Sequence, residues 1–254
     1  MEGKYHKHYS KHLQREMEYK TYGEKGRPML IFPSQDGRFF DFENFGMIDV
    51  IAPQIEAGRV RAICVDSIDG ETWSKRDGDN RQRIEQHERW FNYITEELIP
   101  EVRKKKDETF IVTGCSMGAF HAGNFFFRRP DIFDAVIALS GLYTAGYGFP
   151  MYSDDLTYMN SPIDFLREMP EDHPWMNLYK KRDIYICVGQ GRWEDELLES
   201  TRILDTVLCQ RGIPAHMDYW GYDVDHDWCW WRKQLPYFLE KVLDSKTDTV
   251  SSES

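Results

Sequence analysis

Six short apolar runs punctuate the chain: PMLIF (28–32), VRAICV (60–65), TFIVT (109–113), AVIAL (135–139), IYICVG (184–189) and AHMDYW (215–220). They are rich in β-branched and aromatic residues and are bounded by turn formers, which predicts strands. Their near-continuous apolarity, without alternation, predicts burial on both faces, as in a parallel sheet. Between them the apolar positions recur at helical spacing over 43–56, 83–104, 117–128, 196–210 and 228–243. In 196–210 the residues Leu197, Leu198, Ile203, Leu204, Val207 and Leu208 trace one face. Strands alternating with helices specify an α/β fold with a mostly parallel, doubly wound sheet and helices on both faces. The stretch REMEYKTYG (15–23) alternates weakly and predicts an antiparallel edge strand.

Two segments depart from this rhythm. Residues 143–175 carry Gly, Pro, Tyr and Met without periodicity. Aperiodic stretches of this length in a compact domain commonly serve function, here as a cap over a site. The tail DSKTDTVSSES (244–254) lacks apolar residues and is expected to be disordered. The reading is one domain over 1–243.

Composition narrows the functional classes. With 254 residues, 41% hydrophobic, the chain can bury one sizeable core. The net charge of −11 argues against nucleic-acid or anionic-membrane partners. The basic run RKKKD (103–107) reads as a solvated helix end. The polar N-terminus does not resemble a signal peptide, and no run reaches the ~18 apolar residues of a membrane span. The five cysteines are scattered without a C-x-x-C pair, so reduced thiols and a cytoplasmic location are expected. His6, His8 and His12 near the N-terminus have no acidic or cysteine partner nearby. No metal and no cofactor is expected. Oligomeric state, homo-oligomers included, is left open.

The chemistry enters at Gly114-Cys115-Ser116-Met117-Gly118, between the predicted strand TFIVT and a predicted helix. G-x-S-x-G in that setting is a nucleophile elbow. The two glycines let strand and helix close around a serine whose hydroxyl stands above the sheet, and the helix N-terminus directs N–H groups at developing negative charge. Such a serine needs an acid and then a histidine later in the chain. After IYICVG the segment QGRWEDELL offers Glu194, Asp195 and Glu196. His226 lies in WGYDVDHDWCWW, between the last strand and the last helix. His121, one turn beyond the elbow, reads as a helix-packing residue. Trp73, Trp193, Trp220 and Trp228 fall near the C-terminal ends of predicted strands, the edge where open α/β sheets bind ligands. Trp73, Trp193 and Trp228 are therefore candidates to wall the pocket, with Asp69 another candidate at its rim.

With these pieces the chain resembles the putative-esterase family of α/β hydrolases, which includes S-formylglutathione hydrolases, feruloyl and acetyl-xylan esterases and mycolyltransferases. The resemblance runs over about 9–239, through YSKHLQREMEYKTYG, GCSMGAFHA, RRPDIFDAVIALSG, VGQGRWEDELL and GYDVDHDWCWW. It implies an α/β-hydrolase fold and the triad Ser116, Asp195 and His226. It also implies an oxyanion hole from the Met117 N–H with a second donor at Gln35 or Asp36 in PSQDG. The implied activity is hydrolysis of a small-molecule ester through an acyl-enzyme. Acyl transfer and non-catalytic ligand binding are the alternatives. The cysteine-bearing loop typical of formylglutathione hydrolases is absent, so that substrate is not implied.

Overall fold

The computed structural model describes the backbone of residues 1–251 and the side chains of 1–245. Eight strands form one sheet: β1 Lys4–Ser10, β2 Arg15–Tyr22, β3 Arg27–Phe32, β4 Val60–Val65, β5 Phe110–Cys115, β6 Phe133–Leu139, β7 Asp183–Val188 and β8 His216–Tyr219. Their order is β1-β2-β4-β3-β5-β6-β7-β8. The β1–β2 and β2–β4 pairs are antiparallel, and every other pair is parallel. All six apolar runs form strands. The 15–23 segment is antiparallel as expected, but it is second from the edge, because β1 lies outside it. β1 escapes a periodicity reading because it is polar on both faces, with Tyr5 and Tyr9 exposed.

The helices are α1 Asp41–Asn44, α2 Met47–Glu56, α3 Asn80–Asn92, α4 Ile99–Val102, α5 Met117–Arg128, α6 Asp155–Met159, α7 Pro162–Glu168, α8 Pro174–Tyr179, α9 Asp195–Gln210 and α10 Trp228–Ser251. The helix expected over 43–56 is broken between α1 and α2, where Gly46 is left-handed at φ 72°. The one expected over 83–104 begins earlier, because the Asp79 side chain caps α3 by accepting from Gln82 N–H. It then passes through a π-helical stretch, Tyr93–Leu98, into α4. The 143–175 segment holds a 3₁₀ turn, Ala145–Tyr147, then α6, α7 and the start of α8. The tail expected to be disordered continues α10 as far as Ser251, and its last three residues lie outside the described ones. Among the described residues no helix is long and apolar enough to cross a membrane.

Alternate strand residues serve opposite layers. Leu30 and Phe32 pack with Trp90 of α3 and Phe125 of α5 on one face. Met29 and Ile31 pack with Ile48 and Ile51 of α2 and Leu235 and Phe238 of α10 on the other. This double covering explains why the strands read as unbroken apolar runs. It also fixes the C-terminal ends of β5, β6 and β7 side by side, and the loops leaving those ends carry the site.

Candidate active site

Ser116 is the residue between β5 and α5, with φ 58° and ψ −122°. Its N–H donates to Leu139 O at the end of β6 (2.9 Å), which locks the turn to the sheet. The glycines on either side are required by contact. A Cβ on Gly114 would come within 2.3 Å of the Gly118 backbone. One on Gly118 would meet the Phe32 and Pro33 carbonyls at 2.6 Å. Gly118→Ala is therefore expected to cost about 1–3 kcal/mol as backbones are forced apart. Calorimetry should show Tm lowered by several degrees.

His226 lies in the loop between β8 and α10. Its Nε2 is 2.9 Å from Ser116 Oγ. The loop is held by His226 N–H donating to Arg192 O (3.0 Å) and Arg192 N–H donating to the Asp225 carboxylate (2.7 Å). The carboxylate at the far side of the imidazole belongs to Glu194, whose Oε2 is 3.4 Å from His226 Nδ1. Neither of those two atoms has a hydrogen-bond partner among the described residues, so each faces the other alone. Contacts between a histidine and a carboxylate in an active site are often long without substrate and shorten in the complex. Glu194 is 1% exposed, and its Oε1 accepts from the Ser140 hydroxyl at 2.6 Å.

The carboxylate facing the histidine is therefore not Asp195, the one that the resemblance implied. Asp195 is the first residue of α9 and is exposed, in the ordinary place for an acidic residue at a helix N-terminus. Trp193 has φ 67°, and Glu194 after it is the buried residue preceding the helix. One position decides which carboxylate faces the histidine.

The cavity above Ser116 has a volume of about 220 Å³. Phe120, Leu142 and Leu197 form apolar wall, and Tyr147 and Glu196 border it. Gln35 and Met117, both expected at the oxyanion hole, also line it. Of the two candidates for a second donor, Gln35 lines the cavity. Asp36 does not; it is exposed and left-handed at φ 56°. Gln35 is held from both sides: its Oε1 accepts from Tyr147 (3.0 Å) and its Nε2 donates to Ser74 (3.1 Å). Ser34 Oγ, donating to Cys115 O (3.3 Å), ties this loop to the elbow. Cys115 itself is fully buried, and burial pushes its thiol pKa well up, so it stays protonated and inert.

None of the three candidate tryptophans lines the cavity. Trp73 is buried behind Phe120, with ring centroids 4.5 Å apart. Trp193 is 82% exposed. Trp228 stacks on Phe45 at 4.3 Å. Bulky residues near strand ends were as suited to packing as to lining, and packing prevailed for Trp73 and Trp228. The residues that do form wall, Phe120 of α5, Leu142, Tyr147 and Leu197 of α9, carry no signal of their own. Only the flagged 143–175 segment pointed to Tyr147.

His121 is a packing residue, as its position suggested, and it is also paired. Its Nε2 is 2.9 Å from Asp69 Oδ1, and both side chains are buried. Asp69 is thus taken into the interior rather than left at the rim. Beside it, fully buried His87 accepts the Trp73 indole N–H at Nδ1 (3.0 Å) and donates from Nε2 to Asn160 Oδ1 (3.0 Å). That pattern requires the neutral ring, and burial pushes its pKa well below the ordinary histidine range. The native state then refuses a proton that the unfolded chain accepts. This contribution to stability is intact above pH ~6.5 and is lost progressively as pH falls toward the depressed native value. Tm is expected to fall from pH ~7 to ~5 while the His87 ring stays neutral by NMR.

Among the described residues, four of the six non-glycine residues with positive φ surround this site: Asp36, Ser116, Ser140 and Trp193. Backbone strain of this kind persists where surrounding structure enforces it, and it clusters at functional sites. A serine lifted from a strand–helix turn, a histidine in contact with it and a buried carboxylate beyond, on an eight-stranded mostly parallel sheet, define an α/β hydrolase of the serine-hydrolase type. The chain belongs to the putative-esterase family, whose model matches residues 10–241, and with it to the carboxylesterases. No curated protein matches it in sequence. Solved structures similar to it include a ferulic acid esterase (17% identity, 96% of this chain and 97% of that one, TM-score 0.73). An S-formylglutathione hydrolase from Agrobacterium tumefaciens is also similar (14% identity, 94% of each chain, TM-score 0.72). So is MPT51 (FbpC1) of Mycobacterium tuberculosis (12% identity, 96% of this chain and 98% of that one, TM-score 0.68). At these identities the likeness is one of fold.

Proposed function

We propose that the protein hydrolyses small carboxylic esters through an acyl-enzyme on Ser116, with His226 as base and Glu194 as the orienting acid. The contact of 2.9 Å between His226 Nε2 and Ser116 Oγ, at the floor of the cavity, carries this reading. Neutral His226, with its proton on Nδ1 toward Glu194, takes the Ser116 proton as Oγ bonds to the ester carbonyl carbon. The oxyanion develops beside the Met117 and Gln35 N–H groups, which serve as its donors. Collapse breaks the bond to the alcohol, and His226 passes its proton to the departing oxygen. Water, deprotonated by His226, then adds to the acyl carbon, and collapse releases the acid and returns the proton to Ser116. Glu194 remains ionised and offsets the imidazolium charge.

A cavity of about 220 Å³ is below the ~300–1,000 Å³ usual for drug-sized ligands, which favours short acyl groups. Glu196 at its border disfavours anionic ones. The test is a fluorophosphonate probe together with p-nitrophenyl esters of rising chain length. The probe should add to Ser116 and leave Ser116→Ala unlabelled, and acetyl to butyryl esters should turn over fastest. Absence of labelling, or labelling that survives Ser116→Ala, would refute the proposal. With added alcohols, ester rather than acid as the main product would make the protein an acyltransferase.

Because a protonated His226 cannot act as base, kcat/KM should decline on an acidic limb. A flat profile down to pH ~4 with a neutral ester would remove His226 from that role.

A further inference from the structure

Ser140 follows β6, is fully buried and is held at φ 55°. Its N–H donates to Cys187 O on β7 (2.7 Å), which clamps this conformation. Its Oγ is 2.6 Å from Glu194 Oε1 and 3.2 Å from Trp231 Nε1 of α10. An indole N–H can only donate. Ser140 Oγ therefore accepts from Trp231, and the hydroxyl proton is directed at Glu194. The Trp231 ring, 3% exposed, also stands edge-to-face against His226, with centroids 4.8 Å apart and planes at 90°. One side chain thus touches the base and, through Ser140, the acid.

We propose that Ser140 and Trp231 are positioning residues: the donation from Trp231 through Ser140 holds the Glu194 carboxylate ionised with its second oxygen facing His226, while the Trp231 ring sets the plane of the imidazole. This rests on the reading of Ser116, His226 and Glu194 given above. The other titratable groups facing the pair are Cys187 on β7, Tyr143 beyond β6 and Asp227 beside His226. Burial raises the Cys187 and Tyr143 pKa values, so both are neutral near pH ~7. The Cys229 N–H holds the Asp227 carboxyl below its ordinary range. Among the described residues Ser140 makes the one side-chain hydrogen bond to Glu194, the His226 Nδ1 contact being longer at 3.4 Å. Without it the ionised carboxylate is less stable, and the pair gives up its proton only at higher pH.

Ser140→Gly separates positioning from folding. It removes the hydroxyl yet suits φ 55°, so relief of strain offsets part of the lost hydrogen bonding. Ser140→Gly should fold, lose about tenfold in kcat with little change in KM, and move the acidic limb of kcat/KM upward by about 0.5–1 pH unit. Trp231→Phe, which keeps a ring against His226 but cannot donate, should move the limb in the same direction, with a loss of about threefold or more. Both should still be labelled at Ser116 by a fluorophosphonate, only more slowly. A limb and kcat unchanged from wild type, or a loss of Tm with no movement of the limb, would overturn the inference. If Ser140→Gly does not fold, Trp231→Phe decides by the same measurements. Wild type that is itself unlabelled would instead defeat the underlying reading.

Discussion

Ser116→Ala is expected to lower kcat by about 10⁴-fold or more while leaving KM, fold and Tm close to wild type. The loss is large because no neighbour can replace the hydroxyl. Cys115 is adjacent in sequence but fully buried, with a thiol kept protonated by its surroundings. Ser34 Oγ is engaged with Cys115 O on the other side of the turn. Stability should survive because the elbow is held through backbone. Ser116 N–H donates to Leu139 O, and Ser116 O accepts from Ala119 and Phe120 N–H. The side chain contributes only its contact with His226 Nε2. Ser116→Gly sharpens the test. It should be as inactive as the alanine variant yet melt higher, since φ 58° is strained for any residue with a Cβ. Steady-state kinetics and thermal melts on the two variants check both statements. An alanine variant keeping more than about a hundredth of the wild-type kcat would place the nucleophile elsewhere.

The serine and histidine were legible because each is announced locally. Gly114 and Gly118 flank Ser116 at the spacing that close backbone contact demands, and His226 is the one histidine between the last strand and the last helix. The parallel core was legible for a similar reason: strands covered on both faces, such as β4 and β6, are apolar except for one ion-paired residue each, Arg61 with Glu108 and Asp134 with Arg27. β1 was not, because its inward positions are the polar residues His6, His8 and Ser10, so the alternation in burial has no counterpart in hydrophobicity. The pocket wall was hidden differently. Tyr147 and Leu142 reach Ser116 by the path of an irregular segment, and Phe120 and Leu197 are helix residues indistinguishable in pattern from core. Ser140 and Trp231 were silent for the same cause, since their partner is a carboxylate 54 residues from one of them. Spacing along the chain encodes contacts within an element, whereas contacts between loops depend on where the sheet delivers their ends.

The acid shows that limit most sharply and gives the second large effect. Glu194→Gln should reduce kcat by about 10²–10⁴-fold, whereas Asp195→Asn should stay within about threefold of wild type. Glu194 is 1% exposed, with one oxygen toward His226 Nδ1 and the other on Ser140. Glutamine preserves that shape but removes the charge that offsets the imidazolium. If its amide nitrogen faces Nδ1, it stabilises the tautomer that cannot accept the Ser116 proton at Nε2. Glu194→Asp is a milder probe: one methylene shorter, it withdraws the carboxylate by ~1.5 Å from a contact already at 3.4 Å. It should fall between glutamine and wild type. Asp195, exposed in the first turn of α9, has only its interaction with the helix N-terminus to lose, about 0.3–1 kcal/mol of stability and nothing of the site's geometry. Sequence alone could not rank two neighbouring carboxylates, because either can follow a strand and open a helix. The left-handed turn at Trp193 separates them, directing residue 194 inward and residue 195 to solvent. Kinetics in which Asp195→Asn is the damaged variant and Glu194→Gln is not would mean that this turn is reversed in the working enzyme.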